Sequence, residues 1–130
     1  SDISIPTMFQ AGRDDHISPF GSVYRATRAF GGKAEFVLAG SGHIAGVINH
    51  PDAKKYQHWT NSDLPETAGE WLEGADEHPG SWWPHWFKWL KKMSGPKTKA
   101  RIPADKGLGD APGTYVRQRL EDRGVGPSAK

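Results

Sequence analysis

A chain of 130 residues is one domain or part of one. Only 35% of it is hydrophobic, beside 16 Gly and 10 Pro, which is thin for a self-contained core without being a composition of disorder. The absence of cysteine excludes disulfides, thiolate metal sites and a cysteine nucleophile from this chain. The net charge of +2 conceals an asymmetry: residues 1–90 carry seven Lys/Arg against eleven Asp/Glu, a balance of −4, and residues 91–130 carry ten against four, a balance of +6.

A basic end can bind nucleic acid, a membrane or a phosphorylated ligand, although a solvated segment is the plainer expectation. Tyr115 is the one aromatic residue after Met93, so stacking partners for single-stranded nucleic acid are lacking and no nucleic-acid partner is expected. No apolar run is long enough to span a bilayer. The start, Ser1-Asp2-Ile3-Ser4-Ile5-Pro6, has neither the basic residues nor the apolar stretch of a secretory leader. The expectation is a soluble, cytoplasmic protein.

Ile3 to Ala11 reads as a short buried strand, with Pro6 tolerated near its start. Gly12-Arg13-Asp14-Asp15-His16 is the loop after it. Ser18-Pro19 suits a helix start, and Val23, Ala26, Thr27 and Phe30 recur at helical spacing until Gly31-Gly32. Ala34 to Ala39 is a second strand, followed at once by Gly40-Ser41-Gly42-His43. Strand, helix and strand together predict a parallel βαβ unit with a right-handed crossover. Lys54 to Thr60 reads as a polar and aromatic connection. Ser62 or Asp63 can cap a helix beginning at Pro65, with Leu64, Ala68, Trp71, Leu72 and Ala75 on one face and acids early, where the helix dipole favours them. Ser81 can cap a further helix with Pro84 in its first turn. Trp82, Trp83, Trp86, Phe87, Trp89, Leu90 and Met93 form its apolar face, and Gly95-Pro96 ends it. The organisation expected is an α/β domain over residues 1–95 and a basic, irregular tail over residues 96–130.

Sites in parallel α/β sheets form at the carboxyl ends of strands. Both predicted strands end in reactive groups, the first in Asp14-Asp15 and the second in His43. Were the strands neighbours, Asp15 would orient the imidazole and support its protonated form during catalysis. The order nucleophile, acid, histidine is that of α/β-hydrolases, of which this chain would hold the last two members. The competing reading is an unrelated Asp and His on surface loops.

The residues around the pair carry a resemblance. Gly40-Ser41-Gly42-His43-Ile44-Ala45-Gly46-Val47-Ile48-Asn49 is similar to the histidine segment of polyhydroxyalkanoate synthases, and Arg13-Asp14-Asp15-His16-Ile17 to their aspartate segment. Lys55-Tyr56, His58 to Asn61, Glu70-Trp71-Leu72, His78 to Pro84 and Ala111 to Val116 resemble the C-terminal region of that family in the same order, most closely its short-chain, poly(3-hydroxybutyrate)-forming class I. His50 stands where the family often has a proline, Phe20 where a Trp is common, and His85 where an acid often follows Trp-Trp-Pro.

The resemblance implies the C-terminal portion of an α/β-hydrolase fold and about the last quarter of a synthase. It implies 3-hydroxyacyl-CoA as substrate, a growing polyester as product, and a cysteine nucleophile from the N-terminal part of the enzyme. His43 would be the general base, and Asp15 would orient His43 or help activate the incoming hydroxyl. No cofactor is implied. Partners would be the N-terminal part, the surface of a cytoplasmic storage granule and, in a homodimer, a second copy. The chain by itself should be inactive.

Three other arrangements compete. Ser41 as a nucleophile lacks the Gly-x-Ser-x-Gly frame and lies two residues from His43. His78 and His85 with Glu73 and Glu77 match no standard metal spacing and read as structural polar residues. The Trp-rich stretch could contact a membrane interface or hydrophobic polymer, making the chain a non-catalytic granule- or partner-binding module with its basic tail. The alternative is that it packs on its own sheet, since Lys88, Lys91 and Lys92 leave one defined side to bury.

Overall fold

In the computed structural model, which describes residues 2–100 and 110–119, the chain divides into two compact units, Ser1–Gly95 and Pro96–Lys130. The first unit runs β1 (Thr7–Gly12), α1 (Phe20–Ala26), β2 (Ala34–Ala39), β3 (Gln57–Thr60), α2 (Ala68–Glu73), β4 (Asp76–Pro79) and α3 (Trp83–Met93), with a 3-10 turn at Pro51–Ala53. In the second, Tyr115–Arg117 forms a 3-10 turn. Residues 101–109 and 120–130, much of the tail expected to be basic and irregular, lie outside the described residues.

The βαβ unit forms as expected. β1 and β2 pair in parallel, from Thr7 opposite Ala34 to Gly12 opposite Ala39. β1 begins at Thr7 rather than Ile3 because Pro6 has no N–H to give a ladder, and Thr7 N is the first to donate, to the Lys33 carbonyl at 2.9 Å. Helix α1 ends at Ala26 rather than near Phe30. The hydroxyl and the N–H of Thr27 both turn back on the Tyr24 carbonyl, at 2.7 and 3.0 Å, and the chain leaves in tight turns.

The sheet is larger than the sequence suggested. Gln57–Thr60, read as a connection, is β3, and Asp76–Pro79 is β4. Strand order is β1-β2-β3-β4, with β3 antiparallel to both β2 and β4, so the sheet is mixed. β3 is only four residues long, β4 lies between two helical patterns, and Asp-Glu-His-Pro has almost no strand propensity. As an edge strand β4 suits such residues, because charge and proline at an edge discourage further pairing.

Helix α2 starts three residues later than expected, and Ser62 and Asp63 do not cap it. Thr67 does, through a reciprocal box: its hydroxyl accepts from Glu70 N at 3.2 Å, and the Glu70 carboxylate accepts from Thr67 N at 3.0 Å. Pro65 serves the tertiary structure instead, its carbonyl accepting from the Tyr24 hydroxyl at 2.7 Å and from the Arg28 guanidinium. At α3 the N-cap is Trp82 rather than the expected Ser81, and it has no side-chain cap; Ser81, one residue earlier, accepts the Trp83 N–H on its hydroxyl at 3.1 Å.

β2 is buried on both sides, and its alternation assigns each helix to a face. Phe36 and Leu38 join Ala11, Tyr24, Trp59 and Trp71 in one cluster, beneath α1 and α2. Tyr24 and Trp71 each meet Phe36 edge to face, with centroids 5.1 and 4.8 Å apart. Val37 and Ala39 point the other way, into a cluster with Trp82, Trp83 and Trp86. The Trp-rich stretch thus packs on its own sheet, as the lysine face predicted, but incompletely: Phe87 and Met93 remain exposed.

Candidate active site

Because Gly12 and Ala39 are register partners, β1 and β2 end level and the two following loops run side by side. Arg13 N donates to the Ala39 carbonyl at 2.8 Å and Asp14 N to the Ser41 carbonyl at 3.1 Å. The approach demands small residues: a Cβ on Gly12 would lie 3.0 Å from the Ser41 carbonyl oxygen and 3.2 Å from that of Gly42.

Past this seam the chain turns Asp15 inward. Its Oδ1 accepts from the N–H groups of Ile17 and Ser18, each at 2.9 Å, and its Oδ2 lies 2.7 Å from His43 Nδ1. The carboxyl sits below its usual range, chiefly through the Ser18 N–H. Burial opposes this; His43 and the Ile17 N–H add to it. An ionised carboxylate only accepts, so Nδ1 carries the hydrogen and the neutral ring presents Nε2 as a base. The Asp15 side chain is 5% exposed and that of His43 47%: the carboxylate is buried and the imidazole is open.

The structure therefore brings together the two residues singled out from the sequence and leaves Asp14 exposed beside them. A small cavity of about 130 Å³ lies against the pair, lined by Gln10, Gly12, Asp15, Ser18, Val23 and His43 among others.

His43 rides on a single helical turn. Val47 N and Ile48 N both donate to the Ile44 carbonyl, at 3.1 and 2.9 Å. Gly46 is required there, since a Cβ would fall 2.4 Å from the Gly40 carbonyl oxygen. Ser41 holds a left-handed φ of 78° in the approach to this turn, and its carbonyl accepts from Asp14. No hydrogen bond among the described residues joins it to His43.

The remaining candidates separate. His78 Nε2 bonds the Thr60 hydroxyl at 2.8 Å, while His85 faces Glu35 at 3.9 Å. Among the described residues no group of three His, Asp or Glu is placed to hold a metal ion. Trp82 is buried against β2, so an outer contact on α3 falls instead to Phe87 and Met93. No helix among the described residues is long and apolar enough to cross a membrane.

Two features escaped the sequence. One is the pair of N–H donors behind Asp15; an Asp two and three residues before Ile17 and Ser18 is an Asx-turn pattern that could have disclosed them. The other is His58, buried on β3 with Nδ1 3.1 Å from the Gly80 carbonyl, for which no local signal existed.

Fold and pair together define an α/β unit with an acid-oriented histidine at its strand ends. No family model matches the chain. Among known proteins it is 50% identical over 121 residues to the poly(3-hydroxyalkanoate) polymerase subunit PhaC of Rhizobium etli, a match covering 91% of this chain and 19% of that protein. It is 46% identical over 123 residues to the PhaC subunit of Cupriavidus necator, covering 90% and 20%. It is 44% identical over 115 residues to poly(3-hydroxyalkanoate) polymerase 1 of Ectopseudomonas oleovorans, covering 84% and 20%. The resemblance read from the motifs is thus shown over most of the chain, which spans about one fifth of the length of these polymerases, a proportion fitting a C-terminal segment.

Proposed function

We propose that this chain is the acid–base part of a polyhydroxyalkanoate synthase, and that Asp15 and His43 are two members of its Cys-His-Asp site in an α/β-hydrolase fold. The observation that carries the reading is the 2.7 Å contact between Asp15 Oδ2 and His43 Nδ1, which leaves Nε2 free as a base. It is supported by the similarity to poly(3-hydroxyalkanoate) polymerases at 50% and 46% identity.

In this reading His43 Nε2 takes the proton of a cysteine thiol supplied by the N-terminal part of the enzyme. The thiolate attacks the thioester carbonyl of 3-hydroxyacyl-CoA; the bond to CoA sulfur breaks, and CoA leaves with the proton returned by the imidazolium. The acyl-enzyme then meets the hydroxyl of the next unit. His43 removes that proton as the ester bond forms and the acyl–cysteine thioester bond breaks; the imidazolium returns the proton to the departing cysteine thiolate, so the polyester grows by one unit per CoA released. Asp15 holds the tautomer and balances the imidazolium without itself taking the proton. The site of action is the surface of a cytoplasmic polyester granule, and no cofactor takes part.

The test is CoA release from 3-hydroxybutyryl-CoA. The 130-residue chain alone should give none, because it has no cysteine. The synthase containing it should turn over, and His43→Ala should abolish that turnover. Turnover by the chain alone, or undiminished activity in the His43→Ala synthase, would refute the proposal.

A further inference from the structure

Beyond its own backbone hydrogen bonds, the turn that carries His43 has little support from adjacent residues. Three of its neighbours, Gly40, Gly42 and Gly46, are glycines, and Ile44 and Ile48 on its outer side are 68% and 69% exposed. Residues 44–48 make one helical turn, and in a continuing helix the Val47 carbonyl would accept from residue 51. That residue is Pro51, which has no N–H. The carbonyl is satisfied from elsewhere: Trp82 Nε1 donates to it at 3.1 Å and Trp83 Nε1 at 2.9 Å.

Two adjacent indoles at the head of α3 thus converge on one backbone oxygen four residues beyond His43. Both are fixed from behind. Trp82 is packed on Val37 and Ala39 of β2, the strand that leads into His43, and Trp83 meets the His50 ring edge to face with centroids 5.8 Å apart. The turn is therefore tied to the strand before it through α3. Asn49 adds a second tie, donating from Nδ2 to the Lys55 carbonyl at 2.8 Å.

From this geometry we infer that Trp82 and Trp83 are positioning residues for His43, holding the turn through the Val47 carbonyl so that the imidazole stays on Asp15 and Nε2 keeps its aim. The assignment rests on the catalytic reading of His43. Neither indole touches that ring; the effect travels through four residues of backbone. Loss of the two donors frees a glycine-rich turn to drift, and a displacement of an ångström at a catalytic base costs rate more than substrate affinity.

Phe retains most of the ring and removes the N–H. In the complete synthase, Trp82→Phe/Trp83→Phe should lower kcat by about tenfold with KM within about twofold. Either single variant should lower kcat by a smaller factor, because the remaining indole still grips the carbonyl. The parent 130-residue chain should show a downfield proton resonance for His43 Nδ1–H, and in the double variant that resonance should broaden or vanish. Where the double variant does not fold, the single variants decide by the same two readouts.

Variants that lose thermal stability while kcat and the His43 resonance stay at parent values overturn the assignment. A rise in KM alone, with kcat unchanged, does the same. The resonance reports the turn whatever the enzyme does, so failure of this inference is distinguishable from failure of the catalytic reading, which His43→Ala tests separately.

Discussion

Both carboxylate oxygens of Asp15 are engaged, one by two backbone N–H groups and the other by His43. Replacing the carboxylate by an amide keeps its shape and reverses one of its hydrogen-bonding roles. In Asp15→Asn the amide NH₂ can face His43 Nδ1 only if that nitrogen becomes the acceptor, which moves the ring hydrogen to Nε2 and removes the base. In the complete synthase this should cost on the order of 10³-fold in kcat, measured as CoA release. Asp14→Asn, exposed and one residue away, should leave kcat unchanged; equal losses at the two positions would break the assignment of Asp15.

A second expectation at this scale concerns two histidines outside the site. Burial holds His58 and His85 below their ordinary value of 6.5, against the partial support of the Gly80 carbonyl and of Glu35. The unfolded chain then binds more protons than the folded one as pH falls through about 6.5 toward the folded values, so stability is full above that range and declines below it. The groups facing His58 include His78, and those facing His85 include His78, Lys88, Lys92 and Glu35. The urea midpoint of the 130-residue chain should be lower at pH 5.5 than at pH 7.5, and His58→Gln should narrow the difference. Equal midpoints for the parent would contradict the burial argument. Asp15 acts at lower pH: its carboxyl is depressed below 3.8, so its share is present above that value and lost as pH falls through its folded value.

Among the elements, two segments test whether stability and activity separate. The box between Thr67 and Glu70 starts α2, on the face away from α3. Thr67→Ala should cost about 1 kcal/mol of stability and leave kcat alone. Gly46 instead lies in the His43 turn, where a Cβ would meet the Gly40 carbonyl oxygen at 2.4 Å. Gly46→Ala should therefore lower both the thermal midpoint and kcat. A Gly46→Ala enzyme with full kcat would show that the turn tolerates displacement. The sequence disclosed β2 and α3 because pattern and stop signals agree there, and α1 by its periodicity, although Thr27 closes that helix on the Tyr24 carbonyl before the Gly31-Gly32 stop. It missed β3 and β4 because four residues are too few to show a period, and the charges of β4 point away from strand.

Across the whole molecule, one central strand supports both layers. β2 presents Phe36 and Leu38 to α1 and α2, and Val37 and Ala39 to α3. Among the described residues Trp71 is the largest fully buried side chain and its indole N–H has no partner, so its value lies in packing against Tyr24 and Phe36. Trp71→Ala should cost about 3–5 kcal/mol, a large share of a small domain's stability, and should be read by urea unfolding of the 130-residue chain. A loss under about 1 kcal/mol would show that the cavity closes by collapse.

The sequence by itself determined the βαβ unit, the strand ends that carry Asp15 and His43, and the amphipathic Trp-rich helix. Each is encoded by residues close together, in periodicity, glycines and caps, and the family motifs are likewise local strings. The sequence already favoured Asp15 over Asp14 by its spacing to the histidine, and the tertiary structure adds the contact itself, with Asp15 Oδ2 2.7 Å from His43 Nδ1 and Asp14 exposed. It alone decided that Asp76–Pro79 is a strand, because an edge is made by its neighbour, and that two indoles some 35 residues beyond Val47 hold the turn of the histidine. Those last contacts depend on α3 crossing the far face of β2, a placement set by the apolar burial of Trp82 and Trp86 and written in no local pattern.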